Sequence, residues 1–288
     1  MKKGRIIKLT GGLYTVIDAD GNRQELKPLG IFRIQDIKPK VGDLVECDDN
    51  SIVKVFPRKN DLSRPPIANV DQALIIQSAK EPGFSLPLLD RFLVVIAASE
   101  VDPVIIVTKT DLLTLSERRE LEETMAFYSP HYPVIWFSTR THEGQAEIEA
   151  ITRSKVNVLT GQTGAGKSSL LNSLNPDLQL ATDIISKALG RGKHTTRTVE
   201  LISFYQGWIA DTPGFSQLDI TGIDTDHLRE LFPEFLLYSS QCRFNGCTHL
   251  HEPDCQVRKA LKENKILRQR YENYADFFQE IHAAKPRY

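Results

Sequence analysis

Two groups of residues in this chain have the types and the spacing that bind a nucleotide. The first runs from Gly161 to Ser168 (GQTGAGKS) and matches G-x-x-x-x-G-K-[ST], the phosphate-binding loop or P-loop. Its glycines let backbone N–H groups surround a phosphate chain, Lys167 reaches the β- and γ-phosphates, and the Ser168 hydroxyl binds Mg²⁺. The residues predicted to bind phosphate and Mg²⁺ here are Gly161, Gln162, Thr163, Gly164, Ala165, Gly166, Lys167, Ser168 and Ser169.

The second group is the sequence T-K-T-D at residues 108–111, which follows a predicted buried strand and matches the guanine-reading motif [NT]-K-x-D. The Asp111 carboxylate can accept hydrogen bonds from guanine N1–H and the 2-amino group together, a pair of donors that adenine lacks. An ATPase would require Asp111 to be irrelevant. Threonine stands first where Asn is commoner, so we expect unchanged specificity with slightly lower affinity. The predicted guanine contacts are Thr108, Lys109, Asp111, Ser138 and Thr139, with the backbone of the last two facing guanine O6.

Two further segments are predicted to sense the γ-phosphate. Asp211-Thr-Pro-Gly214 matches D-x-x-G, in which Asp211 would hold Mg²⁺ through water and the Gly214 N–H would contact the γ-phosphate. Residues 182–197 are rich in Ser, Gly, Lys, Arg and Thr and occupy the place of the first switch. Thr196 is predicted to close on Mg²⁺ there, with Thr195 as the alternative. Loss of the γ-phosphate would release both switches.

The residue after the D-x-x-G glycine is Phe215, where many GTPases have a Gln that orients the attacking water. Phenylalanine cannot do this, so we expect slow hydrolysis without assistance. His194 is the candidate that positions or accepts from water, and a solvated loop residue or an RNA contact is the alternative. The predicted catalytic residues are His194, Lys167 and Thr196.

A third cluster, near the C-terminus, has the composition of a metal site. Three of the four cysteines follow the pattern Cys-x4-Cys-x-His-x5-Cys, and three thiolates with one imidazole satisfy tetrahedral Zn²⁺ in a closed structural site. His251 is an alternative to the histidine of this pattern, and close buried thiols without a metal are the alternative to the site itself. The predicted ligands of one zinc ion are Cys242, Cys247, His249 and Cys255.

The elements that would position these residues fall into three regions. Alternating short runs over residues 1–60 predict five strands and a small barrel of the OB type, with an SH3-like barrel as the alternative. Pro65-Pro66 is interpreted as a linker. From Gln72 onward strands and helices alternate, which predicts an α/β parallel sheet. Beyond a short helical segment at 224–235 and the cysteine cluster, two helices are predicted over 255–282.

The order of the motifs is unusual, because the guanine motif precedes the P-loop by about 50 residues. In common GTPases the P-loop comes first. The same sheet can be built from a chain cut and rejoined at surface loops, so we predict a circularly permuted domain. The predicted organisation is an OB-fold barrel at 1–66, a circularly permuted α/β P-loop GTPase domain at 67–222, and a mainly α zinc-binding domain at 223–288.

Charge is unevenly distributed along the chain although the net charge is only −1. Both ends have a small excess of Lys and Arg and the centre an excess of Asp and Glu, which suits anion-binding flanks around an enzymatic core. No apolar run approaches the roughly 18 residues of a membrane span, and no apolar signal core follows the basic residues at the start, so we expect a cytoplasmic protein that does not bind a membrane. A phosphate-facing surface, or equally a solvated helix face, is predicted for Arg258, Lys259, Lys262, Lys265, Arg268 and Arg270.

Together these motifs resemble those of the ribosome small subunit-dependent GTPases of bacteria, the RsgA/YloQ/YjeQ family. The resemblance covers the whole chain and rests on motifs in a specific order: the Arg64-Pro65 linker running into A-N-V-D at 68–71, T-K-T-D before the P-loop, G-R-G-K-H-T-T at 190–196, D-T-P-G-F at 211–215 and the Cys/His pattern. It implies an OB fold, a permuted GTPase and a zinc domain.

The same resemblance implies a role late in the maturation of the small (30S) ribosomal subunit. The GTP form would dock near the decoding region through the outer domains, ribosomal RNA would stimulate hydrolysis, and the GDP form would leave. It also favours His194 as a catalytic residue. The expected cofactors are one structural Zn²⁺ and the Mg²⁺ that accompanies GTP, and the expected partners are the small subunit and its RNA, bound by a monomer.

Two other functions remain open from the sequence. One is an RNA-binding module in which nucleotide acts as an occupancy switch with little turnover, as Phe215 permits. The other is a signalling GTPase with a protein partner, which two basic flanking domains disfavour. Salt dependence separates them, because phosphate contacts release counterions and RNA binding therefore weakens steeply with salt.

Overall fold

A computed structural model describes residues 1–34, 36–63, 65–174, 199–210, 215 and 218–284. Contacts divide the chain into two compact units. The first comprises Met1–Leu74, Gln145–Thr160 and Lys167–Ser216, and the second comprises Ile75–Gly144, Gly161–Gly166 and Gln217–Tyr288. No helix in the ranges described is long and apolar enough to cross a membrane.

The N-terminal strands close into a barrel in the order β1-β2-β3-β5-β4, which confirms the predicted OB-type fold. Strand β1 closes it by pairing antiparallel with both β2 and β4, while β3 pairs parallel with β5. The alternation of the sequence places Ile6, Val16, Leu26 and Ile52 inside, where they form the barrel core. The strands are β1 (Lys2–Thr10), β2 (Leu13–Asp18), β3 (Arg23–Pro28), β4 (Leu44–Cys47) and β5 (Ser51–Val55), with the short helix α1 (Ile31–Ile34) before β4.

A hairpin follows the barrel at the point where the sequence predicts a linker. Strands β6 (Asp61–Ser63) and β7 (Pro66–Ala68) pair antiparallel, so Pro66 begins a strand. Proline is tolerated as the first residue of an edge strand because its missing N–H costs no ladder hydrogen bond. The Asn60 side chain then bonds both backbone groups of Val70 at 2.8 and 2.9 Å, which fixes the chain as it enters the next strand.

The middle of the chain forms a six-stranded sheet among the described residues, in the order β10-β9-β8-β11-β13-β12. Strands β9 and β10 pair parallel, as do β11 and β13, whereas β12 and β13 form an antiparallel hairpin. The elements are β8 (Gln72–Ser78), α2 (Leu86–Ala97), β9 (Asp102–Thr108), α3 (Leu115–Met125), β10 (Val134–Phe137), α4 (Gln145–Thr152), β11 (Val156–Gly161), α5 (Lys167–Leu174), β12 (Leu201–Phe204) and β13 (Gly207–Ala210).

Local signals explain where two of these helices begin. A capping box begins α3, since the Thr114 hydroxyl accepts from the Glu117 N–H while the Glu117 carboxylate accepts from the Thr114 N–H. Helix α2 starts with Ser85 as its N-cap and proline in its first turn. Its apolar face, including Leu89, Phe92 and Leu93, is buried.

The C-terminal region is helical, as the sequence predicts, but with different helix bounds. The segment 224–235 is not one helix, because a 3₁₀ turn at Arg229–Leu231 interrupts it, and residues 263–267 separate the two helices predicted over 255–282. Buried Phe232, Phe235 and Tyr274 form its core. The helices are α6 (Thr225–Leu228), α7 (Pro233–Ser239), α8 (Gln256–Lys262) and α9 (Arg268–Ala284).

A buried ion network fastens α9 to α2. The Arg270 guanidinium, 2% exposed, donates to Asp90 at 2.6 Å and to Glu234, and it lies 4.7 Å from the centre of the Phe232 ring. Burial alone would lower the pKa of Arg270, but the carboxylates of Glu234 and Asp90 raise it well above its usual value. Asn273 completes the network by donating to Asp90 at 2.6 Å. The prediction of a surface role for Arg270 was therefore wrong.

Replacing Arg270 with Ala is expected to lower the free energy of unfolding by about 3–5 kcal/mol, because two buried carboxylates would lose their cation. Thermal unfolding followed by circular dichroism measures the loss. Arg268→Ala, on the same helix but exposed, is the matched control and should stay within about 0.5 kcal/mol of the parent. Equal stability of the two variants would mean that the network does not hold the helix in place.

Candidate nucleotide site and metal centre

The P-loop leaves β11 at Gly161, a position that only glycine fits. Its φ is +132°, and a Cβ there would lie 2.0 Å from the carbonyl oxygen of Ile76 in β8. Gly164 and Gly166 also have positive φ, of 80° and 90°. Three such residues turn the backbone back on itself between strand and helix, as expected of a phosphate-binding loop.

The hydroxyl of Thr108 joins the guanine motif to the P-loop. Its Oγ1 lies 2.6 Å from the carbonyl oxygen of Ala165 and 3.3 Å from that of Gln77, and the side chain is buried. The two motifs are far apart in the sequence and reversed from the common order, yet they meet at the carboxyl end of β9. The sequence offered no signal for this bond, beyond the polar residue that ends a buried strand.

Thr108→Val is expected to weaken binding of GDP and GTP about 2- to 10-fold. Valine keeps the shape but removes the donor, which leaves the Ala165 carbonyl without this bond and loosens the loop. Titration with a fluorescent guanine nucleotide measures the affinity. Thr124→Val is the control. The Thr124 hydroxyl also donates to a backbone carbonyl, that of Glu120 at 2.9 Å, but it lies on the exposed helix α3. Equal affinities in the two variants would contradict a positioning role for Thr108.

The carboxylate of Asp111, which is predicted to read guanine, is held by Ser138, the residue that follows β10. Ser138, fully buried, donates its hydroxyl to Asp111 Oδ1 at 2.6 Å. The same Oγ accepts from the backbone N–H groups of Arg140 and Thr141 at 3.1 and 3.2 Å. The two predicted guanine residues therefore lie together, and the loop that follows Ser138, beginning with exposed Thr139, is bent around this hydroxyl.

A loop that the sequence motifs did not single out also belongs to this site. Lys109, which has a left-handed backbone at φ 57°, donates from Nζ to the carbonyl oxygen of Glu81. Pro82 of the same loop approaches the P-loop, since its Cδ lies 3.5 Å from the position of a Cβ on Gly164. The signal in the sequence was the Pro-Gly turn after β8, which ordinarily marks a connection rather than a site.

Helix α5 begins at Lys167, directly after the loop, so the P-loop motif has the strand–loop–helix context that it needs. Burial lowers the pKa of Lys167, and a phosphate beside its ammonium group would oppose that effect. Ser168 is half-buried and Ser169 exposed in the first turn. Gln162 is half-buried and Thr163 exposed at the tip of the loop. The phosphate contacts of these four residues stay predictions.

The predicted switch residues cannot be placed in the same way. His194, Thr195, Thr196, Asp211 and Gly214 lie outside the described residues. Their assignment to Mg²⁺, the γ-phosphate and the attacking water therefore stays a prediction. Phe215 is described and is 4% exposed, so its ring is packed against protein.

The four predicted metal ligands converge. The Sγ atoms of Cys242, Cys247 and Cys255 and a ring nitrogen of His249 all lie within 4.8 Å of one another. The His249 Nδ1 is 3.7 Å from Cys242 Sγ and 3.4 Å from Cys255 Sγ. Three sulfurs and one nitrogen around a common centre are a donor set that fits a tetrahedral Zn²⁺ ion.

The surroundings of this cluster suit thiolates. The backbone N–H groups of Gln256 and Arg258 point at the sulfurs of Cys242 and Cys255 at 3.4 and 3.5 Å, and Cys255 is the N-cap of α8. Burial raises the pKa of Cys247 to about 12, so without a nearby cation this thiol stays protonated at neutral pH. Backbone N–H groups thus stabilise thiolates in this cluster, and a bound cation would offset the cost of burying their negative charge.

Two tyrosines of α9 hold the cluster against the helices. Tyr271 donates to the carbonyl oxygen of His249 and Tyr274 to that of Thr248, both at 2.6 Å. His251, the alternative ligand, is exposed and is not part of the group of close donor atoms. The geometry therefore favours His249.

Comparison with known proteins agrees with this arrangement along the whole chain. Residues 55–221 match the family described as RsgA GTPase, and residues 3–51 match the RsgA N-terminal domain. The chain is 46% identical over 294 residues to the small ribosomal subunit biogenesis GTPase RsgA of Geobacillus sp. (strain WCH70), with 100% of both chains covered. It is 44% identical to the protein of the same name from Shouchella clausii (strain KSM-K16), again over both full lengths.

Two solved structures resemble the fold. The crystal structure of YloQ, a circularly permuted GTPase, matches 100% of this chain and 97% of its own with a TM-score of 0.86 and 38% identity. That of YjeQ from Thermotoga maritima matches 98% of both chains with a TM-score of 0.87 and 35% identity. The reversed order of guanine motif and P-loop thus occurs in a known fold.

Proposed function

Since the chain belongs to the RsgA GTPase family, we propose that it hydrolyses GTP to GDP and phosphate during a late step of small ribosomal subunit assembly. One observation carries the nucleotide part of this proposal: the 2.6 Å bond between Thr108 and Ala165 brings the guanine motif to the P-loop. A base read by Asp111 would then place its phosphates in the glycine turn.

Each predicted site residue has a role that follows from the chemistry of its side chain. Asp111, held by Ser138, would select guanine, while Lys167 would neutralise charge that develops on the transferred phosphoryl group. Mg²⁺ would be held by Ser168, Thr196 and Asp211, and it supplies charge neutralisation at the β- and γ-oxygens when bound. His194 would position the attacking water, a role that the buried Phe215 ring cannot take.

The flanking regions would connect this reaction to the ribosome. We assign residues 1–66 to ribosomal RNA binding by the barrel, 67–222 to the GTPase domain, and 223–288 to a domain built around one structural Zn²⁺. The small subunit would stimulate hydrolysis, and loss of the γ-phosphate sensed by Gly214 would release the protein. We expect a cytoplasmic monomer.

One observation favours a second function, in which nucleotide occupancy alone controls RNA binding. Phe215 takes the place of a water-orienting residue and its side chain is buried. Hydrolysis of GTP therefore depends on some other residue to orient the attacking water. In that case the GTP and GDP forms would differ in affinity for the subunit while turnover stayed low.

Co-sedimentation with isolated small subunits tests the partner. The protein with a non-hydrolysable GTP analogue should pellet with the small subunit and much less with the large one, and GDP should weaken this binding. Binding should also fall steeply between about 50 and 200 mM salt, as phosphate contacts require. A weak salt response would indicate a protein partner, and no binding in either nucleotide state would contradict the proposal.

A further inference from the structure

We propose that a cleft between the barrel and β13 takes a single unpaired nucleobase of the RNA that the proposed function assigns as partner. The cleft has a volume of about 510 Å³, within the range of small-ligand sites, which is about 300–1,000 Å³. Its walls are the rings of Phe56 and Trp208 together with the aliphatic side chains of Ile17 and Leu44. All of these residues lie in the first compact unit.

The composition of the cleft matches a base more closely than other ligands. The Nζ atoms of Lys3 and Lys54 lie 5.5 and 5.2 Å from the centre of the Phe56 ring, and both side chains are exposed. Bases stack on aromatic side chains whatever their identity, while neighbouring ammonium groups take the phosphates on either side. The one carboxylate in the lining, Asp18, is occupied by hydrogen bonds from Asn22.

Gly4 belongs to the lining of the cleft, at a point where two strands of the barrel lie very close together. A Cβ there would lie 2.5 Å from Val16 Cγ1 and 2.7 Å from the carbonyl oxygen of Ile17, so only glycine lets β1 and β2 approach this closely. Exposed Leu44, 42% accessible, forms an apolar rim. The lining combines these apolar surfaces with the basic side chains of Lys3 and Arg5, so a stacked base would have cations for its phosphates beside it.

The position of Trp208 connects this cleft to the nucleotide. Trp208 belongs to β13 and stands three residues before Asp211 of the predicted second switch. Its carbonyl oxygen accepts from the Asn157 side chain at 2.9 Å, and Asn157 belongs to β11, the strand that ends in the P-loop. A base against the indole therefore contacts a strand that leads into the predicted switch and is bonded to the strand that carries the phosphate loop.

The barrel wall of the cleft is fixed to the same hairpin. Lys8 of β1 forms a β-bridge with Glu200, just before β12, and its ammonium group lies 2.6 Å from the Glu200 carboxylate. The barrel strand that carries Gly4 is therefore bonded to the hairpin that carries Trp208. Occupancy of the cleft would be one route by which RNA affects hydrolysis.

Phe56→Leu and Trp208→Leu test the stacking contacts. Each should weaken binding of the GTP-analogue form to isolated small subunits about tenfold or more, the effect of losing one stacked base. Subunit-stimulated turnover at limiting subunit should fall in parallel. Tyr14→Leu, an aromatic residue of the barrel outside the cleft, is the control and should change affinity less than about twofold. GDP affinity measured beside these values shows that the nucleotide domain is intact.

A photoreactive benzoylphenylalanine at position 56 identifies the occupant, and it does so without removing the ring. Irradiation with small subunits is expected to join the protein to ribosomal RNA. Cross-linking to a ribosomal protein, or wild-type affinity in both leucine variants, would overturn the inference while leaving the proposed function standing. If the unsubstituted protein itself fails to bind small subunits, the proposed function fails first.

Discussion

Asp111→Asn is expected to lower the affinity for GTP by about two to three orders of magnitude and to leave ATP unbound. The carboxylate accepts from two donors on guanine, and an amide would place an N–H against the 2-amino group, so a charged hydrogen-bonded pair is replaced by a donor–donor contact. The Ser138 hydroxyl would still hold the side chain, because it can donate to the amide oxygen as it does to Asp111 Oδ1 at 2.6 Å.

The same substitution should create a new preference. Xanthine carries a carbonyl oxygen where guanine has its 2-amino group, so the amide introduced at position 111 could pair with it. Xanthosine triphosphate should therefore bind the variant better than GTP does. Competition against a fluorescent guanine nucleotide measures all three affinities. Asp102→Asn, at the opposite end of β9 and exposed, is the matched control. Unchanged nucleotide preference in Asp111→Asn would contradict the assignment of the base site.

The second large effect is expected at the metal cluster. Cys255→Ser removes one zinc ligand but leaves a hydroxyl that can still cap α8, so the substitution isolates the effect of the metal. Structural zinc supplies about 10–16 kcal/mol of apparent free energy in isolated zinc-finger peptides. We expect zinc content to fall from about one ion per chain to near zero and the helices that follow the cluster to unfold. Metal analysis and thermal unfolding measure the two effects.

His251→Ala is the control for this experiment, because His251 is exposed and lies outside the group of close donor atoms. It should keep both its zinc and its melting temperature. A strong chelator added to the parent protein should reproduce the effect of Cys255→Ser. Full zinc content in Cys255→Ser, or loss of zinc in His251→Ala, would show that the ligand set is wrong.

Much of the fold follows from local patterns in the sequence. The barrel strands were predictable because their side chains alternate between core and solvent, and α3 because Thr114 and Glu117 form a capping box. The P-loop was predictable because binding phosphate through backbone N–H groups demands glycine at fixed spacing. At Gly161 the demand is steric as well, since β8 leaves no room for a Cβ.

Features that depend on distant residues were not predictable in this way. Arg270 looked like one basic residue among six on two helices, but its two carboxylate partners come from α2 and α7. The Thr108 hydroxyl gave no sign that it would bond Ala165, because nothing in either segment specifies the other. The zinc ligands were the exception, since four donors close in sequence converge without help from a distant strand.

The interruption at 229–231 has a local cause that periodicity does not reveal. Proline at 233 fits the first turn of α7 but disfavours a helical conformation at the residue before it, Phe232, so the preceding helix must stop. Helix α8 ends at Lys262, and the N–H of the next residue, Glu263, still bonds the carbonyl of Lys259 at 3.0 Å. The position of a helix end depends on such single residues more than the presence of the helix does.

The measurement that tests the proposed function most directly is GTP turnover by the purified protein, alone and with isolated small or large ribosomal subunits. We predict slow turnover alone, because Phe215 cannot orient water, and a large rise with the small subunit only. His194→Ala should then remove most of the rise while GDP affinity stays near that of the parent. No rise despite salt-sensitive binding to the small subunit would contradict a hydrolysis-coupled role and favour the occupancy switch.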